Sequence, residues 1–201
     1  MHLLPPVMTV AIAVAAPGPP AAFYEGTLPA QPTQFVGGGE VLLEVAVAAS
    51  GAVSEIRALR ATAPYTDLLR RAVKNWTFAP AHSVEGVAVP SRVLVGGSYR
   101  PAVFGSALTV SEPVQEVATV SAGIPFPSST VPASYPPRAF GSSQVLVEFT
   151  IAADASFTAD VVGEANSPFS EAALEAARKW RFRPGSAPSL AYVVFGFRPQ
   201  P

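Results

Sequence analysis

Two glutamates at matching places are the first candidates for chemistry in this chain. Glu44 follows Val41-Leu42-Leu43, and Glu148 follows Val145-Leu146-Val147. Paired carboxylates can divide general acid and general base duties when their environments differ. These two lie in different halves of the chain, on the polar side of an alternating pattern, so solvated surface is the preferred reading. His82 follows Pro80-Ala81 with no Cys, second His or carboxylate cluster near it, and reads as an exposed loop histidine. His2 lies in the apolar N-terminal stretch, so no Ser-His-Asp arrangement is supported. Gly37-Gly38-Gly39 precedes a strand, whereas a phosphate loop follows a strand and opens a helix. The absence of cysteine excludes disulfides, thiolate chemistry and Cys-ligated zinc. The expectation is a chain with no catalytic residue, no cofactor and no metal.

Trp76 and Trp180 are the other conspicuous side chains. Both end an apolar helical stripe: Tyr65, Leu69, Ala72, Trp76 in one case and Phe169, Ala173, Ala176, Trp180 in the other. That spacing favours core positions over ligand platforms.

The elements that carry these residues occur twice. When the chain is slid so that Trp180 falls on Trp76, Val145-Leu146-Val147-Glu148 falls on Val41-Leu42-Leu43-Glu44. Trp180-Arg181-Phe182-Arg183-Pro184 falls on Trp76-Thr77-Phe78-Ala79-Pro80, without a gap. Each copy begins with a strand of period two, read as having one buried face. Ser50-Gly51 marks a hairpin turn; its counterpart Asp154-Ala155 lacks the glycine, which predicts a looser or different turn. Second strands follow at about 53–59 and 157–162. Ser167 and Pro168 suit the cap and first position of the second helix, while Ala63 is a poorer cap for the first. Pro80 and Pro184 block further helix. Third strands are expected at about 87–95 and 191–197. The predicted class is α+β: two repeated β-β-α-β modules, each a three-stranded antiparallel sheet with a helix on one face.

Composition agrees with two small units and limits the partners. The chain has 201 residues, 49% hydrophobic and 13% charged, with net charge -1. So neutral a chain does not suit nucleic acid or an anionic membrane surface. There are 22 prolines, many outside the repeats. Residues 1–22 contain an apolar run, Val7 to Ala16, too short to span a bilayer, which needs about 20 residues. Small residues follow it, as in a signal peptide, although no Lys or Arg precedes it. The division is therefore 1–22, a signal peptide or apolar segment that could associate with a membrane; 31–100, module one; 101–134, a Pro-rich linker; and 135–201, module two. A fragment from about Val131 onward is expected to fold alone. Within the linker, Glu116-Val117-Ala118-Thr119-Val120 is acidic, then small and β-branched. It could fold back as an added edge strand or remain solvated linker.

The second copy resembles the C-terminal domain of TonB. The carriers are Tyr135-Pro136-Pro137-Arg138-Ala139, the strand from Val145 to Ile151, the run Glu171 to Ala176, and Trp180-Arg181-Phe182-Arg183-Pro184. In the first copy Pro32 aligns with Pro136, but Gln31 stands in place of the tyrosine. The resemblance implies a periplasmic domain of the transport machinery. Such a domain couples inner-membrane energy to TonB-dependent outer-membrane receptors by pairing with an extended receptor segment. It implies partner contacts at Ser134, Tyr135, Pro136 and Arg138, with Ser134 standing where the family has glutamine. It also implies a structural motif of Trp76, Phe78, Pro80, Trp180, Phe182 and Pro184. Two modules and no long Pro-Lys-Glu spacer point to a binding module more than to the transducer itself. The alternative is a structural component of a cell-envelope complex with no receptor ligand. No small-molecule substrate is expected.

Overall fold

The computed structural model describes residues 18–32, 37–99, 114–164 and 167–199. In chain order the strands are β1 (Ala22–Glu25), β2 (Gly39–Val47), β3 (Val53–Ala61), β4 (Thr77–Ala79), β5 (Ala81–His82), β6 (Ala88–Val89), β7 (Ser91–Tyr99), β8 (Gln115–Glu116), β9 (Pro127–Ser129), β10 (Ser143–Ile151), β11 (Phe157–Val162), β12 (Arg181–Phe182) and β13 (Ser189–Phe197). Helix α1 is Tyr65–Val73 and helix α2 is Pro168–Ala177.

The two copies do not form separate three-stranded sheets. They merge into one seven-stranded mixed sheet of order β11-β10-β13-β7-β2-β3-β8. The join is a parallel pairing of the two third strands, running from Ala191 opposite Leu94 to Gly196 opposite Tyr99. All other pairings in the sheet are antiparallel. The expected class of two sheet-plus-helix modules is thus replaced by a mostly β architecture with two helices.

The physical reason lies in the strands. Val41, Leu42 and Leu43 are all buried, as are Val93-Leu94-Val95, Val145-Leu146-Val147 and the run from Ala191 to Phe195. Strands apolar on both faces must be covered on both, the usual condition of parallel pairing. A parallel join relates the copies by an approximate two-fold axis lying in the sheet, which puts the helices on opposite faces. On one face, α2 and Trp180 share a core with Val145, Val147 and Phe149, and also with Leu42, Leu59 and Leu94 of the first copy. On the other, Tyr65, Leu69 and Trp76 share a core with Val41, Leu43 and Val45, and also with Leu146, Tyr192 and Val194 of the second. Each core draws on both copies, which argues against a second copy that folds alone.

The repeat also begins earlier than the sequence suggests. β1 pairs with β4, and β9 pairs with β12. The Trp76 indole N–H donates to Thr27 O at 2.8 Å, and that of Trp180 to Val131 O at 3.0 Å, the same separation along the chain. The end of the Pro-rich stretch is therefore the counterpart of residues near the N-terminus. It lays Phe126 and Ala133 into the α2-side core.

Local signals explain the rest. Ser167 caps α2, accepting from Ser170 N–H at 3.1 Å, with Pro168 in the first turn. α1 has no side-chain cap, and Thr62 N–H instead donates to Thr66 Oγ1. The two hairpins share one turn, which corrects the expectation of different types. Ala48 N–H reaches Ala52 O at 2.9 Å, and Ala152 N–H reaches Ser156 O at 2.8 Å. Gly51 has φ 85° and its counterpart Ala155 has φ 70°. Asp154 accepts both Ser156 N–H and Ser156 Oγ–H, bracing the left-handed alanine. The first copy's third strand is split at Pro90, where proline has no N–H for the ladder.

Candidate functional site

Among the described residues no group of His, Cys, Asp and Glu could hold a metal ion. His82 lies in β5, its backbone N–H bonded to Pro19 O at 3.0 Å. Glu44 and Glu148 have opposite pleat parity to their own helix-facing neighbours, so they lie on opposite faces of the sheet and cannot work as a pair.

Glu44 is nonetheless not surface, contrary to the sequence reading. It is 1% exposed and holds Arg57 and Arg92, each at 2.5 Å. Ser121 Oγ–H donates to it at 2.7 Å and Ser121 N–H at 3.2 Å. Burial pushes the Glu44 carboxyl upward, but the Ser121 bonds and both arginines outweigh this and hold it below its ordinary value of 4.5. The unfolded chain therefore binds this proton more readily. The stabilisation is complete above the ordinary carboxyl range and is lost as pH falls through the lowered value. Glu44→Gln should cost about 1–3 kcal/mol at neutral pH, the partners being part-exposed arginines, and should flatten the acid limb of the stability profile. Urea melts between pH 3 and 7 check this (a range spanning the ordinary carboxyl titration); an unchanged acid limb would mean that other carboxylates control it.

The Glu44 cluster belongs to a larger arrangement at one sheet edge. β8 adds to β3 antiparallel, Glu116 opposite Arg60 and Gln115 opposite Ala61. Val117 N–H continues to Leu59 O at 2.9 Å. Arg60 holds Glu116 at 2.6 Å and also pairs with Glu40. Arg57 donates to Thr119 O at 2.8 Å. Ala118, Val120 and Ile124 then pack on the α2-side core. The Glu116–Val120 segment thus lies on the edge of the first copy, one of the two alternatives its composition left open. Recognition here combines backbone pairing with an arginine–carboxylate contact.

The opposite edge of the sheet is β11. β11 pairs with β10 from Val162 opposite Leu146 to Phe157 opposite Ile151, without a bulge. Among the described residues nothing pairs with its other side. Ladder bonds alternate along an antiparallel pair. Since Ala152 N–H bonds Ser156 O, the N–H and C=O groups of Phe157, Ala159 and Val161 point outward. A shallow groove runs beside this edge, lined by Ser156, Phe157, Thr158, Ala159, Arg178 and Arg181.

The positions taken from the family resemblance lie elsewhere. Tyr135 donates its hydroxyl to Gly141 O at 2.8 Å and sets its ring edge-on to Phe169 at 5.7 Å. Pro136 is buried, while Ser134 and Arg138 are exposed, Arg138 at φ 66°. None of the four lines the β11 groove. Trp76, Phe78, Trp180 and Phe182 are buried, Pro80 is half-buried and Pro184 is exposed. Phe140, beside this turn, is 91% exposed. Arg57, Arg60, Arg178 and Arg181 were not singled out in the sequence. Their only signal was basic residues beside strand edges, which single-sequence patterning does not separate from ordinary surface.

What these features define is a protein of two copies sharing one sheet, with one edge filled by its own strand and the other, among the described residues, open. No family model matches the chain, and no curated protein or solved structure matches it. No helix among the described residues is long and apolar enough to cross a membrane.

Proposed function

We propose that this chain is a non-catalytic, exported binding module of the periplasm that recognises extended peptide segments by strand addition. The reading joins its resemblance to the TonB C-terminal domain with one observation: β3 carries an added strand, β8, held by main-chain bonds and by Arg60 on Glu116. An edge that takes a segment of the chain itself has the chemistry to take one from a partner. On the family resemblance, the partners are outer-membrane receptors of the TonB-dependent kind, and the recognition serves transport. The second reading is a structural envelope component, favoured by the fact that β3 is already covered.

The test uses the full chain. Val117→Pro removes the donor to Leu59 O and should loosen the β8 segment while leaving the cores intact. A labelled peptide with the sequence of residues 114–122, added in trans, should then bind this variant and not the parent chain. The amides facing it on β3 should become protected from exchange. If the peptide binds neither chain while Val117→Pro remains folded, strand acceptance at β3 is excluded and the structural reading is preferred.

A further inference from the structure

The geometry points to β11 as the docking edge for an extended acidic segment, added antiparallel, whose carboxylate meets Arg178 and Arg181. This rests on strand addition as the mode of binding and adds the place and the partner's chemistry.

The two edges are counterparts under the repeat, yet they are treated differently. β3 is covered by β8 over its last residues, and among the described residues nothing covers β11. Strand edges are usually protected by lysine, proline or a bulge, because bare edges recruit other strands. β11 reads Phe157-Thr158-Ala159-Asp160-Val161-Val162 and has none of these, its one charge being Asp160. Three residues, Phe157, Ala159 and Val161, present outward N–H and C=O groups. Their side chains pack against the α2-side core, so the edge is rigidly held.

Charge then selects the occupant. Arg178 and Arg181 are exposed and stand beside the Phe157–Ala159 half of the strand. Arg181 spends one nitrogen on Arg178 O and Trp180 O. Among the described residues neither guanidinium is paired with a carboxylate. The nearby acids do not serve them: Asp154 accepts from Ser156, and Glu175 is paired with Lys179 at 2.7 Å. At the covered edge, arginine meets the glutamate of the added strand. The open edge offers the same arginine chemistry without the glutamate. Because the arginines sit at the start of β11, antiparallel addition puts the acidic residue toward the C-terminal end of the incoming segment. Antiparallel pairing of β11 to β11 of a second copy would set the two arginine pairs at opposite ends of the joint, so the oligomeric state is read in the same experiment.

The probe is a capped, dye-labelled hexapeptide of alternating Thr and Val ending in two glutamates, titrated into the intact chain at low salt. Amide shifts should concentrate at Phe157, Ala159 and Val161, and affinity should fall as salt rises. Ala159→Pro, which removes an outward N–H but no β10 bond, should abolish binding. Arg178→Glu with Arg181→Glu should weaken it about tenfold or more, and lysines in place of the peptide's glutamates should do the same. Sedimentation reads whether the free chain is a dimer through β11, an outcome that overturns the proposal. So do shifts confined to β3 and β8, or binding that ignores both arginines. Peptide seated on β3 would sink this site and leave strand addition standing, while no binding at either edge, in parent and Val117→Pro chains alike, removes both.

Discussion

A fragment covering residues 131–201 should show no cooperative unfolding, although it contains β10, β11, α2 and β13 of the second copy. Leu146, Tyr192 and Val194 are 4%, 0% and 0% exposed in the intact protein, and they face the core that α1 and Trp76 build. Removing the first copy returns those three side chains to water, at about 1.5–3 kcal/mol each. The sum is comparable with the whole stability of a small domain, about 5–15 kcal/mol. The loss also includes the bond from Phe23 N–H to Tyr192 Oη at 2.8 Å. It strips the parallel partner from β13, leaving a long apolar edge open to aggregation. Urea melts of the fragment and the full chain, followed by near-ultraviolet dichroism, decide the matter. The full chain should give one sigmoidal transition and the fragment a shallow drift or a precipitate. A fragment that melts cooperatively within about 2 kcal/mol of the full chain would mean that the shared cores contribute little.

The repeat, the strand and helix positions, the Ser167 cap and the buried tryptophans were legible because each depends on local pattern. The merger of the two copies was not read, although its signal was present. Under a strict period of two, Leu42 and Leu146 share the face of Glu44 and Glu148, which reads as polar. Both leucines are buried, and with Leu94 and Tyr192-Val193-Val194 they mark strands apolar on both faces. A strict period of two describes a sheet wet on one side; these runs do not have it. Glu44 was misread for the same reason. A glutamate among such residues is buried, and it needs partners, which come from β3, β7 and the linker. No single-sequence pattern links Ser121 to Glu44, because that contact depends on how the linker crosses the sheet.

The Pro-rich stretch misled in a different way. Proline density reads as unfolded spacer, yet residues 126–134 supply β9, the buried Phe126 and the carbonyl that accepts from Trp180. Proline suits these positions because short edge segments demand few N–H donors. The candidate site was least legible of all. An open edge is a property of the sheet's strand order, and that order follows from the join of β7 to β13.

Trp180→Ala should cost about 3–5 kcal/mol and should move the unfolding of the entire chain, not of its second half alone. Trp180 is 0% exposed and stacks on Phe149 with centroids 5.3 Å apart at 29°, with Phe195 edge-on at 5.9 Å. Its removal leaves a cavity between α2 and the sheet, and it orphans Val131 O. In the variant, Trp76 becomes the only tryptophan, and it reports from the opposite face. If the sheet is one cooperative unit, the Trp76 fluorescence transition falls by the full amount. At a urea dependence of about 2 kcal/mol per molar, that is a midpoint shift of about 1.5–2.5 M. The reciprocal variant Trp76→Ala, read through Trp180, should shift by a similar amount. Trp76 is 1% exposed and bonded to Thr27 O in the matching way. Independent copies would instead leave Trp76 fluorescence melting at its parental midpoint after Trp180→Ala. The far-ultraviolet signal would then split into two transitions. Coincident, shifted transitions from both probes are the expected result, and a shift below about 0.5 M would place Trp180 outside the load of the shared core.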